Sequence, residues 1–150
     1  MELRHLQYLI CPECEGELDV ENIIEINNGK IKIGDLKCQN CLAVFPIINF
    51  IPRFVSSENY ASNFGLEWMK HAQTQYDSHA GVNLSEKRFF EETKWPRDLS
   101  GEIVLEAGSG SGRFTEQAAK TGAMIISFDY SAAVEANYQS NGNKDNVLII

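Results

Sequence analysis

The chain has 150 residues, 43% hydrophobic and 10% aromatic, which is enough for one domain or two small ones with packed cores. Its formal net charge of −8, from 21 acidic and 13 basic residues, excludes a broad basic surface that would hold nucleic acid through its phosphates. A bilayer span is excluded as well, because the most apolar stretch, 42–55, is interrupted by Pro46, Asn49, Pro52 and Arg53.

Residues 1–10 mix charged and apolar side chains without the apolar core of a secretory signal, so a cytoplasmic location is expected. In that reducing compartment four cysteines suit a metal better than disulfides. There is no internal repeat and no low-complexity run. Residues 1–55 hold every cysteine among short strand-like runs, residues 56–100 read as a helical linker or lid, and residues 101–150 alternate strand and helix.

The cysteines fall as Cys11-Pro12-Glu13-Cys14 and Cys38-Gln39-Asn40-Cys41, with 23 residues between the pairs. A Cys-x-x-Cys turn converges two thiolates on one tetrahedral ion, and two such turns fill all four positions. Between them, 19–26 and 30–36 read as strands around the turn Asn27-Asn28-Gly29. This is the pattern of a zinc ribbon. A closed four-cysteine site has no open position for water or substrate, so the zinc is expected to be structural, and His5, His71 and His79 are not needed as ligands. The stretches LQYLICPECEGEL and CQNCLAVFPIINFIPRF, over residues 6–54, resemble the small zinc-ribbon family related to the activator subunit of tRNA and protein methyltransferases. Pro46, Ile51 and Pro52 match that family's proline-containing tail.

In the middle segment Phe64, Trp68, Ala72 and Tyr76 recur every four residues, the stripe of an amphipathic helix facing a core. A second helix is expected to start at Ser85 as N-cap, with Leu84 and Phe89 as a hydrophobic staple, and to end before Trp95-Pro96. Helices ahead of a nucleotide-type sheet can close as a lid, for which Gln75, Tyr76 and Asp77 are the candidates.

Residues 102–105 read as a buried parallel strand, followed by Gly108, Gly110 and Gly112 at alternate positions and a helix over 113–120 that stops at Gly122. A second strand, 123–128, ends in Asp129, a helix starts near Ser131, and 147–150 reads as a third strand. Strand, helix, strand, helix, strand implies right-handed crossovers and a parallel sheet, with ligands at the carboxyl ends of its strands. Alternate glycines let a ligand approach the main chain, and Asp129, 21 residues beyond Gly108, can accept from both hydroxyls of a ribose. A dinucleotide fingerprint would need glycine at position 113, which is Arg113, and Glu106 in the turn would repel a pyrophosphate. A dinucleotide-binding oxidoreductase is therefore the weaker alternative. S-adenosylmethionine, with a sulfonium, an ammonium, a ribose and no phosphate, suits Glu106 and Asp129 together.

The stretch VLEAGSGSGRFTEQAAKTGAMIISFDYSAAVEAN resembles the cofactor half of class I S-adenosylmethionine-dependent methyltransferases, and the resemblance extends over about residues 60–150. Glu106, Gly108, Gly110 and Gly112 match that family's first motif, with Ser109 inside it, and Asp129 matches its ribose-binding acid. The resemblance implies an α/β fold, an N-terminal zinc ribbon followed by the first half of a Rossmann-like sheet. It places Gly108 and Gly110 near the methionine part of the cofactor, Asp129 on the ribose and Tyr130 near the adenine. That family's sheet has seven strands and this chain supplies about three, so a truncated product or half of a split enzyme is expected. Such a piece would be inactive alone, with an exposed first strand that invites self-association or a complementing chain. No residue presents itself as a catalytic base. The methyl acceptor is open between a small metabolite, an envelope-sugar intermediate and RNA, and a non-enzymatic zinc-ribbon binding or activator module with a vestigial sheet is the alternative.

Overall fold

The computed structural model describes residues 1–56, 74 and 76–150. The expected stripe residues Phe64, Trp68 and Ala72, together with His71 and Gln75, lie outside the described residues. The chain divides into two compact units, Met1–Ser56 and Ser57–Ile150.

The first unit is a four-stranded antiparallel sheet in the order β1-β2-β3-β4, with β1 Leu18–Asn27, β2 Lys30–Cys38, β3 Val44–Ile48 and β4 Ile51–Pro52. A 3-10 turn over Leu3–Tyr8 precedes it. Asn28 and Gly29 join β1 to β2, and their φ values of 49° and 75° are those of a two-residue turn whose twist matches the hairpin. The β1–β2 register shifts between Val20 and Asn22, and a Cβ at Gly34 would stand 2.4 Å from the Asn22 carbonyl oxygen, so the bulge depends on that glycine. Leu18, Ile31, Leu36, Phe45, Ile47 and Ile51 form the core, and the Phe45 and Phe54 rings lie 5.1 Å apart. Ile23, Ile24 and Ile26 on β1 stay exposed.

The second unit carries α1 Asp77–Ala80, α2 Leu84–Thr93, β5 Ile103–Ala107, α3 Arg113–Ala119, β6 Met124–Phe128, α4 Ala133–Asn141 and β7 Val147–Ile149. The three strands form a parallel sheet in the order β5-β6-β7. Two right-handed crossovers that step the same way put both connecting helices on one face. The residues of that face, Val104, Ile125, Ser127, Val147 and Ile149, are buried.

The expectation that the first strand is buried holds for one face only. Ile103 and Leu105 are 58% and 65% exposed and Phe128 is 38% exposed, all on the face opposite the helices. Alternation in a strand sends neighbouring side chains to opposite faces, and on the face away from the helices Leu148 of β7 is buried whereas Ile103 and Leu105 of β5 are not. The strand also lies slightly further along, at Ile103–Ala107.

The second helix begins differently from the expectation. Asn83 stands at the N-cap position without a side-chain bond, and the capping carboxylate comes from Asp77. The backbone N–H of Ser85 donates to Asp77 Oδ1 at 2.9 Å and that of Glu86 to Oδ2 at 2.8 Å. The cap is thus borrowed from the preceding helix, where no local pattern can show it. Leu84 is 65% exposed, so no staple forms. Phe89 packs instead against Phe90, Trp95 and Phe114.

Candidate functional site

The four cysteine Sγ atoms all lie within 4.8 Å of one another. Cys11 and Cys41 approach to 3.6 Å and Cys14 and Cys38 to 3.4 Å. Four sulfurs around a tetrahedral zinc at about 2.3 Å stand about 3.8 Å apart, so the cluster already has nearly the required span. The backbone N–H groups of Asn40 and Cys41 each point to Cys38 Sγ at 3.4 Å. The Cys41 N–H, against the cost of burial and helped by that of Asn40, brings the Cys38 thiol down to about 6, which favours the thiolate that a metal needs. Gly16 makes the closure possible, since a Cβ there would stand 3.0 Å from Cys38 Sγ and 3.2 Å from Cys14 Sγ. His5 is buried with Nε2 unpartnered, and His79 lies in the second unit; neither belongs to the cysteine cluster.

In the second unit the glycine loop runs from β5 into α3. Four of its amides, those of Gly108, Ser109, Gly110 and Gly112, are committed within the protein. The N–H groups of Gly108 and Ser109 donate to the Phe128 carbonyl at 2.9 and 3.0 Å, Gly110 donates to Asp129 Oδ2 at 2.8 Å, and Gly112 donates to the Ser109 carbonyl at 3.0 Å. Asp129 Oδ1 accepts from the Ser131 N–H at 2.8 Å and hydroxyl at 2.6 Å. With one donor on Oδ2, that oxygen has capacity for a further one, and Asp129 is half-buried beside the half-exposed Tyr130.

Gly108 and Gly112 differ in what surrounds them. Among the described residues a Cβ on Gly108 would meet no atom within 4 Å, so its outer side is open. A Cβ on Gly112 would stand 2.1 Å from Asn137 Oδ1, so its bareness serves internal packing. Gly108, Gly110 and Gly112 also have φ values of 73°, 53° and 93°, which other residues adopt only with strain.

Beneath the loop lies a polar chain that alternation and glycine spacing do not announce. Glu106 turns toward the helices, and its Oε2 accepts from Thr115 Oγ1 at 2.5 Å and from Ser127 Oγ at 2.9 Å. Asn137 Nδ2 donates to both of those hydroxyls at 3.0 Å. Asn141 Nδ2 lies 2.9 Å from Asn137 Oδ1, 3.1 Å from the Gly112 carbonyl and 3.0 Å from the Tyr76 hydroxyl. Tyr76 in turn donates to the Ser111 carbonyl. Thr115, Ser127, Asn137 and Asn141 are fully buried. Burial raises the Glu106 carboxyl above its ordinary range, against the bonds from Thr115 and Ser127. The sequence signal for this chain is α4 itself, where Asn137 and Asn141 fall on the same buried stripe as Ala133 and Val134.

Tyr76 and Asp77, expected as lid residues, are 4% and 6% exposed and bonded inward, Tyr76 to the loop and Asp77 to α2. They belong to the support of the site. Arg113, standing where a dinucleotide loop has glycine, donates through Nε to Ser85 Oγ at 2.8 Å. Among the described residues no helix is long and apolar enough to cross a membrane.

No family profile and no curated protein sequence matches the chain. Part of it is similar to two solved structures. One is a TehB-like SAM-dependent methyltransferase from Corynebacterium glutamicum, with 20% identity and a TM-score of 0.38 over 59% of this chain and 42% of that one. The other is Haemonchus contortus phosphoethanolamine N-methyltransferase 1 in complex with phosphoethanolamine and S-adenosylhomocysteine, with 21% identity and a TM-score of 0.41 over 64% of this chain and 22% of that one. The match thus spans less than half the length of either neighbour.

Proposed function

We propose that the second unit is the S-adenosylmethionine-binding part of a methyltransferase and that the first is a structural zinc ribbon. One observation carries the cofactor reading. The amides of Gly108, Ser109, Gly110 and Gly112 are all spent on protein acceptors, with Asp129 at the carboxyl end of β6 closing the loop. A loop that cradles phosphates offers free N–H groups, and these four are not among them. This one offers an open main-chain surface at Gly108 and a carboxylate with capacity left over, which suits a ligand with ribose hydroxyls, positive charge and no phosphate.

In this reading Gly108, Ser109 and Gly110 lie along the methionine part, Asp129 accepts from the ribose, Tyr130 lies against the adenine and Glu106 supplies negative charge behind the loop. The cofactor supplies an activated methyl group on a good neutral leaving group, so the protein's task is alignment of the acceptor. Zinc on Cys11, Cys14, Cys38 and Cys41 fills every position of a closed site and holds the two cysteine turns together.

The test is calorimetric titration of the chain with S-adenosylhomocysteine, beside NADH and an Asp129→Ala variant. Binding of S-adenosylhomocysteine alone, lost in the variant, supports the reading. Binding of NADH instead would restore the dinucleotide alternative. Metal analysis of the same sample should give one zinc per chain.

A further inference from the structure

Tyr76 reaches the glycine loop from outside the sheet and its crossover helices. It stands directly before α1, 35 positions from Ser111 and 65 from Asn141 in sequence, yet it is 4% exposed and bonded to both. Its hydroxyl donates to the Ser111 carbonyl and accepts from Asn141 Nδ2 at 3.0 Å, with Ser140 as a further side-chain partner. Asn141 also takes the Gly112 carbonyl at 3.1 Å, so two consecutive carbonyls of the loop are held from the inner side. Fixing two neighbouring carbonyls fixes the peptide planes between them, in a loop whose glycines would otherwise populate many conformations.

We propose that Tyr76 is a positioning residue for ligand binding, its hydroxyl holding the Ser111 carbonyl so that the open surface at Gly108 stays in register with Asp129. This rests on the cofactor reading above. Burial pushes the phenol up to about 12, so the hydroxyl stays protonated and able to donate throughout the working range. The next residue, Asp77, caps α2. The dipeptide Tyr76-Asp77 therefore joins the loop to α2, and the loop is pre-shaped by a segment that precedes the whole sheet in the chain.

Tyr76→Phe keeps the ring and removes only the hydroxyl, which separates positioning from packing. Hydrogen–deuterium exchange of wild type and Tyr76→Phe, both without ligand, reads the loop directly. Residues 108–114 should exchange about tenfold faster in the variant while 124–128 are unchanged. Affinity for S-adenosylhomocysteine should fall about tenfold, and Tyr8→Phe in the first unit should change neither quantity. Unchanged exchange over 108–114 would overturn the proposal, as would faster exchange with unaltered affinity, since the hydroxyl would then serve the fold and not the site. If wild type binds no S-adenosylhomocysteine, the cofactor reading fails and the positioning of a ligand fails with it, whereas binding by wild type with unchanged exchange in the variant removes the Tyr76 proposal alone. Asn141→Ser, which leaves the tyrosine in place and removes its second partner, is measured in parallel and decides by the same readouts if Tyr76→Phe yields no folded protein.

Discussion

The two units of this chain gather different kinds of side chain. Met1–Ser56 is below the size at which an apolar core alone gives ample stability, and it gathers four sulfurs within 4.8 Å at one end of its sheet. The sheet unit gathers neutral polar groups, with Thr115, Ser127, Asn137 and Asn141 fully buried and bonded to one another beneath the glycine loop. The difference concerns what each kind of bonding contributes. Metal ligation adds stability in one large step and demands only four correctly spaced thiolates. A fully satisfied polar chain adds little net stability, because its partners exchange water for each other, but it specifies one arrangement and penalises every other. A ligand loop needs the second property more than the first.

Metal removal should break the comparison most sharply. Chelation, or Cys38→Ser, should cost the first unit on the order of 10 kcal/mol and leave it unfolded, since structural zinc sites supply the folding energy of small domains. The measurement is the amide dispersion of residues 18–52 in a proton–nitrogen correlation spectrum before and after chelation. A ribbon that keeps its dispersion without metal would show that the apolar core suffices.

Within the sheet unit the glycines give the next largest effect and divide it cleanly. Gly112→Ala should cost about 3–5 kcal/mol, combining a left-handed φ of 93° with a Cβ placed 2.1 Å from Asn137 Oδ1. Gly108→Ala should cost only about 1 kcal/mol, because its φ of 73° is strained but its Cβ meets nothing. Ligand affinity should show the reverse priority, with Gly108→Ala damaging binding beyond its effect on stability. Urea unfolding and titration on the same two variants check both halves. Equal stability losses would mean that the two glycines share a single role.

That division also shows what was legible in the sequence. The sulfur cluster and the hairpin could be read because their organising residues are local: the two Cys-x-x-Cys turns bring four sulfurs within 4.8 Å of one another, and Asn28-Gly29 makes the turn. The glycine loop and the acid after the second strand were legible for the same reason. What supports them was not. Asp77 caps a helix eight residues ahead, and Tyr76 reaches a carbonyl 35 residues away, so both were read as lid residues from their place ahead of the sheet. Gly112 was read as ligand-facing from its spacing, whereas its neighbour across space is Asn137. Ile103 and Leu105 were read as buried because an apolar strand does not state how many of its faces are covered. The legible parts are those whose partners lie within a turn or a hairpin; the rest depend on what the chain brings back from a distance.

Asp77 makes that distant support measurable. Burial opposes its charge, yet the N–H groups of Glu86 and Ser85 hold its carboxyl below the usual range. Its contribution is therefore present above the unfolded carboxyl value of about 3.9 and is lost as pH falls through the lower folded value. Asp77→Ala should cost about 1–2 kcal/mol at neutral pH, as for loss of a helix cap, and the gap from wild type should close in acid. Urea midpoints between pH 7 and pH 3 test this, and a gap that does not narrow would remove the charged cap from the account.

The smallest expected effect is the most specific to the ligand. Burial raises the Glu106 carboxyl, so its share of stability is complete below the unfolded value of about 4.3 and declines as pH rises through the higher folded value. At neutral pH Glu106→Gln keeps an acceptor for Thr115 and Ser127 and removes a charge whose burial is costly, so stability should rise by up to about 1 kcal/mol. The same change removes the negative charge behind the loop. A sulfonium-bearing ligand should then lose a few-fold more affinity than its thioether counterpart, which keeps the ammonium but lacks the sulfonium charge. Parallel titrations of S-adenosylmethionine and S-adenosylhomocysteine against wild type and Glu106→Gln measure that difference. A loss shared equally by both ligands would mean that the Glu106 charge does not act on the sulfonium.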